Sequence, residues 1–391
     1  MTTNQYLFLL AVFRVSRSLA AGMITIAFPY LILTTLHQSP LVLGLLYTSA
    51  ALATAALGLF FGFLADVWGQ KKTLIAVGLT LPLSSALIFA SGHLLMLFIA
   101  CMLGGYSATG SLMGGGVGGA AQPIQIVSLA QLTTTRNRTS VFSLFTFISG
   151  IFAALGALMA RLFSVHNVFL AATIISLLGI ATLAPVKFRE YRGNIRTLSS
   201  KSVIGKFSLT GALNGFASGL VIPFLIPFFV IVYHLPKSQM SVYGFIAGSL
   251  GSCAILVAPR LERFWGFVRT VAFTRGFGTV LLLAMPLFHL FPLALAIYLV
   301  TPAFRVISVP VQQTALTELV NVDEIGRALG LNQVARLTSS SGAIAFTGYM
   351  FDIADFGLPF YAYALVMSLN IYLYFRFFKS MEDQLDPERV A

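Results

Sequence analysis

Acidic residues are what this chain has least of. Twelve aspartates and glutamates stand against 24 lysines and arginines in 391 residues, and charged residues of both signs reach only 9%. Soluble domains carry about a quarter of their residues charged, so a soluble globular enzyme is excluded. Cysteine is nearly missing too. Cys101 and Cys253 both fall in apolar stretches and read as two buried thiols, which excludes a disulfide-built secreted scaffold. Five histidines, none paired at ligand spacing, offer no metal cluster. No Walker loop is present, and no nucleophile stands beside a base. Gly114-x-Gly116-x-x-Gly119 has dinucleotide spacing but lacks a strand–helix context. The expectation is a protein that is not an enzyme, with no catalytic residue, metal or cofactor.

What is present in abundance is apolar surface. The chain is 58% hydrophobic with a mean hydropathy of +0.90. A membrane-spanning helix needs about 20 apolar residues. Twelve segments qualify: 6–34, 41–64, 73–91, 94–132, 140–160, 168–186, 207–233, 239–258, 270–289, 292–317, 327–351 and 357–378. The fold class expected is therefore an all-α integral membrane protein. The first segment is too long for the core of a cleavable signal.

The net charge of +12 would suit nucleic acid, but its placement does not. With the N-terminus in the cytoplasm, 17 of the 24 basic residues fall in cytoplasmic connections and ends, and two, Arg161 and Lys237, fall outside. That asymmetry places both termini in the cytoplasm, and the short loops suggest a cell membrane of plasma or bacterial or archaeal inner type. The partners expected are a bilayer and a small molecule, with no nucleic acid and no second copy. The basic stretch 187–206 reads as a linker lying along anionic headgroups.

The chain also repeats itself. Leu64-Ala-Asp-Val-Trp68-Gly69-Gln-Lys-Lys72-Thr73 matches Leu261-Glu-Arg-Phe-Trp265-Gly266-Phe-Val-Arg269-Thr270 at an offset of 197. Pro123-Ile-Gln125 through Leu132 resembles Pro310-Val-Gln312 through Leu319, 187 residues on, and an arginine follows each, Arg138 or Arg327. Two six-helix bundles, 1–186 and 207–391, are expected, joined by the linker. A binding site at a seam between repeated membrane halves can be opened to either side in turn. Segment 94–132 carries glycines at 114–116, 118 and 119, so a helix broken near 112–120 is expected; a wide turn or close packing explains the glycines equally well.

The string Gly62-Phe-Leu64-Ala-Asp66-Val67-Trp68-Gly69-Gln-Lys71-Lys72 resembles the signature loop of the major facilitator superfamily. Gly62, Leu64, Asp66, Gly69, Lys71 and Lys72 match, and Val67 stands where a basic residue is usual. The resemblance implies a 6+6 helix fold, a central cavity lined by helices 1, 4, 7 and 10, and transport by rocking of the halves. It implies that Asp66 caps a neighbouring helix and joins charge pairs that hold one state closed. The switch set is then Gly62, Asp66, Gly69, Lys71, Lys72, Arg138, Glu318 and Arg327. Three departures weigh against proton antiport and drug efflux. Cys101-Met102 occupy the place of an early helix 4 arginine, the 152–157 stretch lacks the helix 5 proline, and no carboxylate lies deep in a span. Asp66 and Glu318 are the carboxylates left for protons as a coupling ion.

The intramembrane arginines bear on substrate. Arg14 and Arg17 fall in segment 1, Arg305 in the middle of segment 10 and Arg336 in segment 11, while Arg275 reads as shallower. A charge at mid-bilayer costs about 2.5–3.5 kcal/mol on insertion scales, so each needs a partner or a wet cavity. With no deep carboxylate available, the substrate itself becomes the candidate anion, held by the two-pronged fork of arginine. The competing reading has the arginines bonded to backbone carbonyls or snorkelling. Gln125, Gln312 and Asn214 complete the expected substrate set of Arg305, Arg14 and Arg17. Gln125 and Gln312 are expected to face each other, or else to glue helices together. Pro223 and Pro227 are expected to bend segment 7. The function expected is secondary transport of a small organic or amphipathic anion, with export favoured. A multidrug/proton antiporter, a flippase of an anionic lipid and a non-transporting receptor are the alternatives.

Overall fold

The computed structural model describes residues 3–103, 138–183, 199–288, 290–321 and 324–385. They form twelve helices and, among the described residues, no strand. These are α1 (Thr3–Tyr30, running into a π turn at Leu31–Thr35), α2 (Pro40–Trp68), α3 (Gln70–Ala90), α4 (Leu94–Met102), α5 (Arg138–Met159) and α6 (Asn167–Ala181). The second set begins with α7 (Lys201–Val221), which passes through a 3-10 turn, Ile222–Phe224, into a further helical stretch, Leu225–Val232. There follow α8 (Lys237–Ile255), α9 (Ala258–Leu287), α10 (Phe291–Leu319), α11 (Ile325–Asp352) and α12 (Leu358–Leu385). Eight helical spans are long and apolar enough to cross a membrane, and α6 is a shorter apolar helix. In hydrocarbon a backbone must satisfy its own polar groups, which is why such a sequence becomes helix rather than open sheet. Leu95, Leu178, Val280 and Leu365 are exposed on the outside of the bundle, as a lipid solvent allows.

The repeat is written in the backbone. Gly69 and Gly266, 197 residues apart, have φ of 87° and 79°. His37 and His234, the same distance apart, both have φ of 49°, in a region non-glycine residues rarely enter. Close contacts repeat as well. A side chain at Gly22 would overlap the backbone carbonyl of Ala153, and one at Gly219 that of Ser340. Gly22 and Gly219 are related by the offset of 197, Ala153 and Ser340 by that of 187, so α1 crosses α5 as α7 crosses α11.

One boundary differs from expectation. The sequence suggests a connection over 259–269, but α9 is helical from Ala258 and bends at Gly266. Glu382 of α12 accepts a hydrogen bond from Val268 N–H at 3.1 Å, capping the helix that restarts after the bend. Its carboxylate fills the space that a Cβ on Gly266 would need. A second carboxylate, Glu324 before α11, accepts hydrogen bonds from Ser199 Oγ (2.8 Å) and Ser200 N–H (3.0 Å) and one from Ser199 N–H. The Ser199 amide, more than any other group, holds the Glu324 carboxyl down at about 2. This tie between the starts of α7 and α11 therefore holds above the ordinary carboxylate range and is lost as pH falls through about 2.

Packing differs between the two ends of the bundle. At one end a single apolar cluster unites both sets of helices, with Tyr30, Leu43 and Tyr47 joined to Phe224, Phe228, Phe351 and Phe360. Tyr47 meets Phe224 edge-on at 6.5 Å, and Phe224 packs on Phe351 at 4.9 Å. Polar ties cross at this end too. Tyr30 Oη donates to Leu235 O at 2.6 Å, and Lys237 Nζ donates to Ala160 O at 2.8 Å and to Phe163 O. At the other end there are two clusters. Phe13, Phe61, Leu64, Leu74 and Val77 belong to the first three helices. Ile204, Phe207, Val268, Val311, Leu329 and Phe378 belong to the last six, with Phe145 of α5 packed against them. Along the seam, α2 packs on α11 and α5 on α8, and Thr48 Oγ1 donates to Ser341 O at 3.1 Å.

Candidate substrate site

The last six helices place three arginines near one another. Arg275 is buried in α9. Its Nη1 donates to Asn370 Oδ1 of α12 at 2.6 Å and its Nη2 to Gln312 Oε1 of α10 at 2.8 Å. The guanidinium lies 5.3 Å from the centre of the Tyr374 ring. Asn370 in turn donates to the Thr210 carbonyl of α7 at 2.6 Å. Four helices are thus tied through one cation, and each amide is oriented by its bond.

Arg305 lies two turns before Gln312 on α10, a spacing that puts both on one face. Its Nη2 donates to Ser218 Oγ of α7 at 3.1 Å, and its Nη1 is buried without a hydrogen-bond partner among the described residues. Arg336 of α11 is half-buried, on a stretch that packs closely on α7. Its backbone stands where a Cβ on Gly215 would go, and one turn earlier Asn332 Nδ2 donates to Phe207 O at 2.7 Å. Arg305 and Arg336 thus meet the same stretch of α7, at Ser218 and at Gly215, and Arg305 also lies against Gly278 of α9, one turn after Arg275. The acceptors that Arg275 and Arg305 use are amide and hydroxyl oxygens, with no carboxylate among the described residues. Asn214 stands one turn before Ser218 on α7, half-buried, on the side that meets Arg305.

Arg14 and Arg17 belong to the first of the two sets of helices. Arg14 is buried in α1, with its Nε donating to Ser149 Oγ and its guanidinium 4.3 Å from the centre of the Phe145 ring, both on α5. Arg17 is buried against α3, where its Nη1 donates to the carbonyls of Gly78 (3.0 Å) and Val77 (3.2 Å). No described contact joins Arg14 or Arg17 to Arg305. Gln125 and the 112–120 stretch lie outside the described residues, as does most of the linker. Gln312 is bonded through its oxygen to Arg275.

The sequence reading places Arg275 shallow and leaves it out of the substrate set. The helix that carries it restarts after the break at Gly266, and packing against α10 and α12 buries it there. Its signal was visible nonetheless, as an arginine without a nearby acid inside an apolar run.

Among the switch residues, Gly69 forms the break between α2 and α3, and its positive φ lets the chain reverse within one residue. Lys71 and Lys72 open α3. Gly62 and Asp66 lie in the last turns of α2 and Arg138 opens α5; their side chains lie outside the description. Glu318 is exposed at the end of α10, and Arg327 is half-buried in the first turn of α11.

Several solved structures share the fold. The human organic anion transporter MFSD10 (TETRAN) superposes with a TM-score of 0.71 at 12% identity, covering 96% of this chain and all of its own. The nucleoside transporter NupG, as a D323A mutant, gives 0.71 at 12% identity over 95% of this chain and 99% of its own. A D-xylose–proton symporter gives 0.72 at 15% identity over 95% and 98%. No curated protein matches by sequence. At the level of family the Major Facilitator Superfamily matches residues 10–345. The chain belongs to the Major Facilitator Superfamily and is a multi-pass membrane transporter of a small molecule rather than an enzyme.

Proposed function

We propose that this transporter carries a small organic or amphipathic anion, bound at Arg305 with Asn214 and Gln312 beside it. The observation that carries the reading is the buried Nη1 of Arg305, which lacks a described partner in a group of three arginines. A buried donor with no acceptor costs about 1–3 kcal/mol, more when charged, and an anionic substrate removes that cost. The solved structures take substrates of different charge, so their common fold does not choose between anion and sugar. The arginines do. Arg14 and Arg17 form a separate polar stretch in the bundle of residues 1–186, with 187–206 as the linker and 207–391 as the bundle that holds the anion.

The distribution of lysine and arginine supports a cytoplasmic N-terminus. The end sealed by Tyr30, Lys237 and the shared apolar cluster is then the outer one, and this is an inward-facing state. In that reading Lys237 and Tyr30 latch the outer end. Replacing both, as Lys237→Met with Tyr30→Phe, removes the neutral bond of Tyr30 together with the charge-assisted bonds of Lys237, worth about 1.5–3 kcal/mol, and shifts the balance toward outer opening by about tenfold or more. A cysteine placed at Val232 in a chain lacking Cys101 and Cys253 should then label faster from outside. An unchanged labelling rate would rule the latch out.

The substrate reading is tested by counterflow in proteoliposomes with aromatic acids, their neutral amides and their amine counterparts of similar size. Uptake of the acids alone is expected. Uptake of the amines in preference would replace the anion reading with the multidrug one, and scrambling of labelled anionic lipid would replace it with the flippase one.

A further inference from the structure

The proposal that Arg305 holds an anion has a consequence for the charge of that anion. Arg305 and Arg336 both meet one stretch of α7, at Ser218 and at Gly215 a turn apart, and Arg275 is bonded to Gln312 on the Arg305 face of α10, yet the three cations are not equally engaged. Arg275 spends both terminal nitrogens on amide oxygens of Gln312 and Asn370. Its task is to position these amides. Because Gln312 accepts through its oxygen, its amide NH2 is left to donate. Arg305 has one terminal nitrogen on Ser218 and the other without a described partner. Arg336 makes no hydrogen bond with any described residue, and both it and Arg305 are half-buried. Two guanidiniums therefore retain forks for ligand. A singly charged ligand satisfies one and leaves the other cation uncompensated beside it, in a medium where charge is poorly screened.

We infer that the site takes a compact dianion, with Arg305 and Arg336 each meeting one negative charge and Gln312 donating between them. Two kinds of compound carry this chemistry, a dicarboxylate and a phosphate-like group with two charges. The inference rests on the anion reading above and goes further in naming valence and a second ligand-binding arginine.

The test is titration calorimetry on the purified full-length protein at pH 8 with benzoate, phthalate and phenylphosphonate. These share one ring and differ in charge. In the native protein at least one dianion should bind about tenfold or more tightly than benzoate, since each carboxylate–guanidinium fork adds charge-assisted bonds. In Arg336→Gln that advantage should fall about tenfold with benzoate affinity unchanged. Arg336→Lys keeps the charge without the fork, and it should retain part of the preference. It also serves if Arg336→Gln does not yield a monodisperse protein. A preference for phthalate identifies two separated carboxylates, and one for phenylphosphonate a single doubly charged group. Equal binding of benzoate and both dianions, or equal weakening of all probes in Arg336→Gln, overturns the dianion and leaves the anion reading standing. Binding of none of the three sinks both.

Discussion

Arg305→Leu should lose anion transport while the protein becomes no less stable. The fork of an arginine on a carboxylate provides two charge-assisted hydrogen bonds, so its removal is expected to weaken binding about 100-fold. The same substitution deletes a half-buried cation that has one hydroxyl for company and a buried, unused nitrogen. Replacing a poorly paired charge with an apolar side chain removes its desolvation cost, which offsets the packing lost to the shorter leucine. The expected pair of results is therefore a flat or raised unfolding temperature and an absent response to anionic ligands. Arg275→Leu makes the contrast. It strips Gln312 and Asn370 of their shared donor and should lower the unfolding temperature. Transport that survives Arg305→Leu with unchanged preference would remove this arginine from the site.

Gly219→Leu should prevent the protein from assembling. The missing side chain of Gly219 is what lets α7 lie on the backbone of α11, where a Cβ would overlap the Ser340 carbonyl oxygen. A carbonyl in a helix cannot swing aside as a side chain can, so the whole helix must move. Overpacking of this kind costs about 1–3 kcal/mol and, against rigid backbone, more. Gly22→Leu should fail for the same reason at the equivalent crossing of α1 on α5. Gly58 and Gly330 have nothing within 4 Å of the place a Cβ would take. Alanine at either should leave the elution profile and unfolding temperature unchanged or slightly improved. If Gly219→Leu gave the same monodisperse yield as Gly58→Ala, the close crossing would not be what holds these helices.

The two glycine pairs also show how much of this molecule a reader of the sequence can see. The offset between Gly69 and Gly266 rests on a handful of matching letters, yet both residues take the same rare backbone conformation. A positive φ is a local demand, so the letters that satisfy it survive in both halves of the chain. The same holds for the apolar segments, because a span in lipid must satisfy its backbone within itself. Lipid imposes a length and a composition that can be counted without knowing any contact.

Contacts between spans are another matter. The sequence announced that Arg14, Arg17, Arg275, Arg305 and Arg336 are costly where they lie, and it supplied no carboxylate for them. It did not say that Arg17 turns to the carbonyls of Val77 and Gly78, that Gln312 serves Arg275, or that Arg336 and Arg305 meet the same stretch of α7. Residues on a helix are spaced by a fixed rotation. Which neighbour each one meets depends on how far a helix turns about its axis and on where its first residue falls. The sequence made Arg275 look shallow, and packing of α9 on α10 and α12 is what buried it. The sequence alone determined that this chain is a repeated helical membrane protein with more buried cation than acid. Only the tertiary packing decided which of those cations stand together, because rotation and crossing of helices are set by contacts between spans far apart in the chain.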